Sequence, residues 1–178
     1  MIRGKIIGLR AVEIGDLELL RDWRNIEDFR RNFREVRELS MTDQEEWFKS
    51  ISTNKANNFM FIIQDLASDQ AIGAAGLLYI NWIIRSADFS FYIGKDEQYI
   101  GNNEICNEAV QLLLDYGFNT LNLNKIWMEL YDFDDRKIDF FTKNMNFNID
   151  GQLRDNVFHK GRYWDSKIIS LLRSECSY

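Results

Sequence analysis

Glu129 and Tyr131 stand two residues apart in the run Lys125–Tyr131 (KIWMELY). Residues two apart on a strand point to the same face. A carboxylate and a phenol side by side can accept and deliver a proton; the same glutamate can equally be a solvated strand-face group. Other reactive side chains are scarce. His159 is the only histidine and Cys106 and Cys176 are the only cysteines, which excludes zinc sites built on two or more histidines and any disulfide framework. Cys106 and His159 would have to meet to act as nucleophile and base. Cys106 falls inside an amphipathic helical pattern and reads as small core filler, and His159 reads as an exposed loop imidazole. No metal site is expected.

The 178 residues are 46% hydrophobic and 28% charged, enough for one domain, residues 1–178, with its own core. A formal net charge of −6 argues against nucleic acid as a partner, because neutralising phosphates requires a basic face. The opening MIRGKIIGLRAVEIGD lacks the apolar run of a signal peptide, and no apolar stretch of about 18 residues is present. The expectation is a cytoplasmic protein with no membrane partner. Proline is absent, so a Pro-rich linker is ruled out.

These side chains must be held by regular elements. Lys5 to Val12 reads as a first strand, and Asp16 is placed to cap the helix LELLRDW, whose Leu17, Leu20 and Trp23 recur at helical spacing. Ser40 to Thr42 supply capping chemistry for a second helix carrying Trp47, Phe48 and Ile51. Phe59 to Gln64, Ala71 to Ile80 and Asp88 to Ile93 read as three antiparallel strands. A helix from Glu104 to Phe118, a strand from Lys125 to Tyr131, and a helix capped by Asp134 or Asp135 follow. Phe147 to Ile149 and Ile168 to Leu172 close the sheet. The order β α α β β β α β α β β is that of an α+β layered domain.

Four stretches carry a family likeness: LLRDWRN with EEWF; ADFSFYIG with QYIGNNEICNEAV and LLLDYGFNTLNLNKI; FDDRKIDFFTKNMNF; and GRYWDSKIISLL. In this order and spacing the chain resembles the GCN5-related N-acetyltransferase (GNAT) superfamily, in particular the branch with ribosomal-protein-alanine and amino-sugar acetyltransferases. The resemblance implies a mixed, mostly antiparallel twisted sheet of about seven strands with helices on both faces. It also implies acetyl-CoA as co-substrate. A strand ending at Ile93, a turn, and a helix beginning near Asn102 would aim free N–H groups at one point, a site for a diphosphate that needs no basic side chain. By the resemblance, main-chain groups of Phe91, Tyr92 and Ile93 would pair with the pantetheine arm. Gln98, Tyr99, Ile100, Gly101, Asn102, Asn103 and Glu104 would form the turn and helix start.

Two departures stand out. Asn103 replaces the second small residue of the family loop, and the helix pattern arrives one residue late. Matched from Glu129 without gaps, the positions where relatives carry Asn and the Tyr that protonates the departing thiolate are Asp134 and Phe141. Phe141 cannot donate a proton, which leaves Tyr131, Tyr99 or water. Acetyl transfer also needs a neutral amine, for which Glu129 is the candidate base. A backbone N–H on the strand ending at Ile93 would polarise the thioester carbonyl.

Trp23, Arg24 and Asn25 resemble the WRN motif of the amino-sugar branch. With Trp47 they fit either an acceptor pocket, in which Arg24, Arg31 or Arg34 meets a nucleotide diphosphate, or core staples beside a solvated face. The expected function is acetyl transfer from acetyl-CoA to the primary amine of a small molecule, such as a nucleotide-linked amino sugar. Alternatives are a protein N-terminal amine and a non-catalytic acyl-CoA-binding module. A homodimer stays open.

Overall fold

In a computed structural model, residues 1–53, 56–101 and 104–176 are described. The elements are β1 (Ile2–Arg3), β2 (Ile7–Ala11), α1 (Leu17–Asn25), α2 (Glu27–Arg30), α3 (Met41–Thr53), β3 (Phe59–Asp65), β4 (Ala71–Asn81), β5 (Ser86–Ile93), α4 (Glu104–Asp115), β6 (Lys125–Tyr131), α5 (Asp135–Asp139), β7 (Asn148–His159) and β8 (Arg162–Leu172). Two π-turns, Tyr116–Thr120 and Phe140–Asn144, extend α4 and α5. Among the described residues eight strands form one sheet in the order β1-β2-β3-β4-β5-β6-β8-β7. This is the expected α+β sheet with one further strand, the two-residue β1. No helix among the described residues is long and apolar enough to cross a membrane.

Every strand pair is antiparallel except β5–β6, which is parallel and joined by the crossover through α4. Its register covers only Ser86↔Lys125, Ala87↔Ile126 and Asp88↔Trp127. Beyond Asp88 the two strands run on separately, β5 to Ile93 and β6 to Tyr131. The sheet is therefore split at its centre, and the split positions the site.

Alternation along β5 places aromatic rings on both faces. Tyr92 meets Trp23 of α1 and Phe33 edge-on, with ring centroids 6.2 and 5.7 Å away. On the opposite face Phe89 and Phe91 pack against Phe141 at 5.6 and 6.3 Å. Phe141 is fully buried, as a helix-face core residue would be. Helices thus cover both faces of the sheet.

Local chemistry sets the element boundaries. Ser40 and Asp43 cap α3 reciprocally: the Asp43 N–H donates to Ser40 Oγ (3.1 Å) and the Ser40 N–H to Asp43 Oδ2 (2.8 Å), the capping-box pattern. Asp16 does not cap α1 with its side chain. Arg10 takes both its oxygens at 2.7 Å and the Glu13 N–H takes one at 2.8 Å, so the carboxylate is spent on the chain entering the helix. The largest difference from expectation is the β7–β8 hairpin, far longer than Phe147–Ile149 and Ile168–Leu172. Its two-residue turn is Lys160–Gly161, with φ of 48° and 81°, the type I′ geometry that suits strand twist. Its residues are largely exposed, so no apolar alternation marks them.

Gly94 ends β5 where the Trp23 indole lies directly on its backbone; a Cβ there would fall inside the ring. Gly94→Ala is expected to cost about 2 kcal/mol, read as a lower urea midpoint. Gly151→Ala, which faces open space, should stay within about 0.5 kcal/mol.

Candidate active site

The split between β5 and β6 opens into a cavity of about 540 Å³. Its lining includes Asp88 and Tyr92 of β5, Glu129 and Tyr131 of β6, Trp47 of α3, Arg24 of α1, Arg34, and Lys137 of α5. Asp88 sits at the last paired position of β5 and Glu129 two residues past its partner Trp127. Arg34 reaches in between them, 2.8 Å from Asp88 and 3.7 Å from Glu129. Glu129 Oε1 accepts hydrogen bonds from Asn156 Nδ2 (2.6 Å) and Ser166 Oγ (2.8 Å), which fixes the carboxylate's orientation. Burial pushes the Asp88 carboxyl above its ordinary range, against the pull of Arg34. Burial raises the Tyr131 phenol in the same way, with Glu129 adding to it.

A second polar group fills the split itself. The Tyr99 hydroxyl donates to Asp134 Oδ2 at 2.6 Å, both residues being buried. Asp134 caps α5, its Oδ1 accepting from the Lys137 N–H at 3.3 Å. The Lys137 ammonium donates to the Phe91 carbonyl at 2.7 Å and stands 5.0 Å from the Tyr99 ring centroid, a cation–π distance. Burial lowers the Lys137 pKa to about 8, opposed by Asp134 and Asp88. Burial raises the Asp134 carboxyl despite Lys137 and the Tyr99 hydroxyl. Burial and then Asp134 hold the Tyr99 phenol well above its usual value.

At the other end of the split, Ile100, Gly101, Arg136, Phe140 and Lys143 surround a hollow of about 370 Å³ beside the start of α4. Arg136 donates to the carbonyls of Gln98 (2.8 Å) and Ile100, tying α5 to the turn. Lys143 is paired with Asp139 at 2.8 Å and Arg136 is bonded to main-chain carbonyls, so the start of a twelve-residue helix is the feature here that suits a diphosphate. The residues present therefore fit coenzyme A at this end. Asn102 and Asn103 lie outside the described residues, and Glu104 begins α4 with its side chain exposed.

The main chain of β5 is arranged differently from expectation. The Ile93 N–H donates to the Tyr99 carbonyl (2.9 Å) and the Tyr99 N–H to the Ile93 carbonyl (2.8 Å). Tyr99, at φ 59°, turns the chain back so that its own backbone takes the strand partners assigned to pantetheine. The Phe91 carbonyl is taken by Lys137, and the Tyr92 ring packs among Trp23, Phe29 and Phe33.

Of the other expected residues, Glu129, Tyr131, Arg24 and Trp47 share the cavity, and Asp134 lies in the split. Gln98 contributes its carbonyl to Arg136. Trp23 is buried against Gly94 and Tyr92 and does not line the cavity, so it is a staple between α1 and the sheet rather than an acceptor wall. The Arg24 guanidinium lies 3.8 Å over the Phe33 ring, and burial lowers its pKa. Cys106 is buried in α4, while His159 stacks on Phe133 at 4.6 Å at the end of β7. No group of three or more metal-ligating side chains occurs among the described residues.

Sequence reasoning missed Asp88, Lys137 and Arg136, and offered Arg34 only as a contact for a diphosphate. Asp88 was the readable one, a lone acid in an otherwise apolar strand.

This split sheet, with an anion-suited helix start at one end and an acid-lined cavity at the other, defines an acyl-CoA-dependent transferase. The acetyltransferase (GNAT) domain family matches residues 7–144, and the chain belongs to it. It is an acetyl-CoA-dependent N-acetyltransferase. It is 30% identical over 168 residues to the spermidine N(1)-acetyltransferase of Vibrio cholerae, covering 94% of this chain and 93% of that protein. An uncharacterised N-acetyltransferase, p20, of Bacillus licheniformis is 33% identical over 68% of this chain and 65% of its own. The crystal structure of the V. cholerae spermidine N-acetyltransferase in complex with CoA and spermine superposes with a TM-score of 0.83 at 29% identity, covering 95% of this chain and 96% of that one.

Removing the Tyr99 hydroxyl leaves the buried Asp134 without its donor. Tyr99→Phe is expected to lose about 1–3 kcal/mol in equilibrium unfolding, whereas Tyr163→Phe, at an exposed position, should change little.

Proposed function

We propose that the acceptor is a primary amine of a linear aliphatic polyamine. The observation that carries this reading is the pair Asp88 and Glu129 facing the cavity from two adjoining strands, with Glu35, Asp43 and Glu46 further along its lining. Arg34 pairs with Asp88 and Glu129, and Arg37 with Glu35 and Asp43; the ammonium groups of a polyamine take the place of these guanidinium groups at the carboxylates. The similarity to the spermidine acetyltransferase along nearly the full length of both chains supports the same reading.

A nucleotide-linked amino sugar would need free basic groups for its diphosphate. Arg34 is engaged by Asp88, Arg31 lies 3.4 Å from Asp28, and Arg24 is covered by Phe33. The arginines expected to meet a diphosphate are therefore already occupied.

Glu129 accepts the proton of the incoming ammonium, directly or through a water molecule. Arg34 and the Asn156 and Ser166 donors hold that carboxylate in one orientation. Trp47 forms the apolar wall along which the methylene chain lies. A backbone N–H of β5 other than that of Ile93, which donates to Tyr99, polarises the thioester carbonyl.

The purified protein should acetylate spermidine in preference to an amino sugar or an N-terminal alanine peptide, measured by thiol release. Glu129→Gln should lower kcat by about 10²-fold. Asp88→Asn should raise KM for spermidine more than for a monoamine. Acetylation of the amino sugar or the peptide alone would overturn the assignment.

Self-association is the second part of the reading. Tyr79, Trp82, Ile83 and Ile84 expose apolar surface at the β4–β5 turn, as surfaces that meet another subunit do. A spermidine N-acetyltransferase of V. cholerae has been described as a dodecamer. Sedimentation should show an oligomer larger than a monomer, and Ile83→Glu should shift it toward smaller species.

A further inference from the structure

Phe141 closes the route by which a tyrosine hydroxyl would protonate the leaving thiolate: it is fully buried among Phe89, Phe91 and Phe147. Some other group must supply that proton, and few described side chains at the split can. The Tyr99 proton is committed to Asp134, and the Tyr131 phenol, raised by burial and by Glu129, lies on β6 two residues from Glu129, at the amine end of the cavity. The Tyr92 phenol is buried and pushed up to about 12. The guanidinium groups of Arg24 and Arg34 do not release a proton in this range.

Lys137 is different. Its ammonium lies inside the split, lines the same cavity as Asp88 and Glu129, and is held 2.7 Å from the Phe91 carbonyl on the open edge of β5. Arg136 borders the hollow at Gly101 and its neighbour Lys137 borders the cavity of Glu129, so a thioester reaching from one to the other runs along α5 at this residue. The Phe91 bond is one that a pantetheine amide can take over, and the ammonium then has a donor to spare.

We propose that Lys137 is the general acid of this enzyme, the group that protonates coenzyme A sulfur as the acetyl–sulfur bond breaks. The amine nitrogen bonds to the acetyl carbon, the carbon–sulfur pair leaves on sulfur, and sulfur takes a proton from the Lys137 ammonium. Glu129 hands the first proton of the ammonium on to solvent, the second, shed by the new amide nitrogen, follows by the same route, and neutral Lys137 is recharged from solvent. The assignment rests on acetyl transfer in this cavity and not on which amine is used.

The groups facing Lys137 fit the role. The Asp134 and Asp88 carboxylates keep it charged, while burial and the Arg24 guanidinium weaken its hold on the proton. The Tyr99 ring screens it on one side. A value of about 8 leaves the ammonium populated near neutral pH and able to give its proton up.

The test uses the full-length protein and any amine that the wild type acetylates, so failure of the polyamine assignment does not affect it. A proton donor must be charged, so wild-type kcat/KM for acetyl-CoA should fall as the pH rises through about 8. Lys137→Met should lower kcat by about 10²-fold and remove that alkaline limb. Lys137→Arg keeps the charge and a donor to Phe91 yet cannot release a proton. It should fold, bind acetyl-CoA, and share the loss.

Full activity in Lys137→Arg would reduce the residue to a positioning charge and overturn the proposal. So would an alkaline limb that persists in Lys137→Met. A Lys137→Met enzyme that binds acetyl-CoA more tightly and turns over as fast as wild type would show that the ammonium only obstructs the split, and would overturn it as well.

Discussion

Three residue pairs hold the two halves of the sheet together at its centre. The β5–β6 ladder ends at Asp88↔Trp127, and everything chemically useful lies just beyond it. Parallel strands must be joined by a long crossover, here α4, and that crossover delivers a helix start beside the place where the ladder fails. A sheet that separates leaves unpaired main-chain groups at each lip, which the chain or a ligand must satisfy. In the free protein the chain does so itself, with the Tyr99 backbone on Ile93 and the Lys137 ammonium on Phe91. The cost of opening the sheet is thus met by groups that also define the chemistry there.

The charges in and around the split form one connected system. Arg34 stands between Asp88 and Glu129, and Lys137 is influenced by both Asp88 and Asp134. Buried charges survive only when paired and hydrogen-bonded, so the loss of any member leaves another exposed to the full desolvation penalty. Such coupling explains how an acidic chain can shelter an ammonium in its interior.

The frame of the fold was largely legible in the sequence. Lys125–Tyr131 alternates apolar and polar residues as a half-buried strand must, and Ser40 with Asp43 announced the start of α3. The length of β7 escaped because its side chains face water, so no core imposes a period on them, and the first half of β8 that pairs with it escaped in turn. At the site, Glu129 and Tyr131 could be paired by their spacing alone. Lys137 could not be read in this way: a lysine in a polar stretch looks solvated, and only the packing of α5 into the split takes it out of water. Trp23 illustrates the opposite limit, since a motif suggested an acceptor contact where Gly94 offers a flat surface for core packing.

The π-turn at Phe140–Asn144 is an α-helix carrying one residue too many. Each residue of an α-helix advances the side-chain direction by about 100°, so a single inserted position decides which group faces the sheet and which faces away. In this chain the turn brings Phe140 and Phe141 into an aromatic core with Phe147. A single position of helix phase thus decides that this segment lends the sheet packing rather than a reactive group.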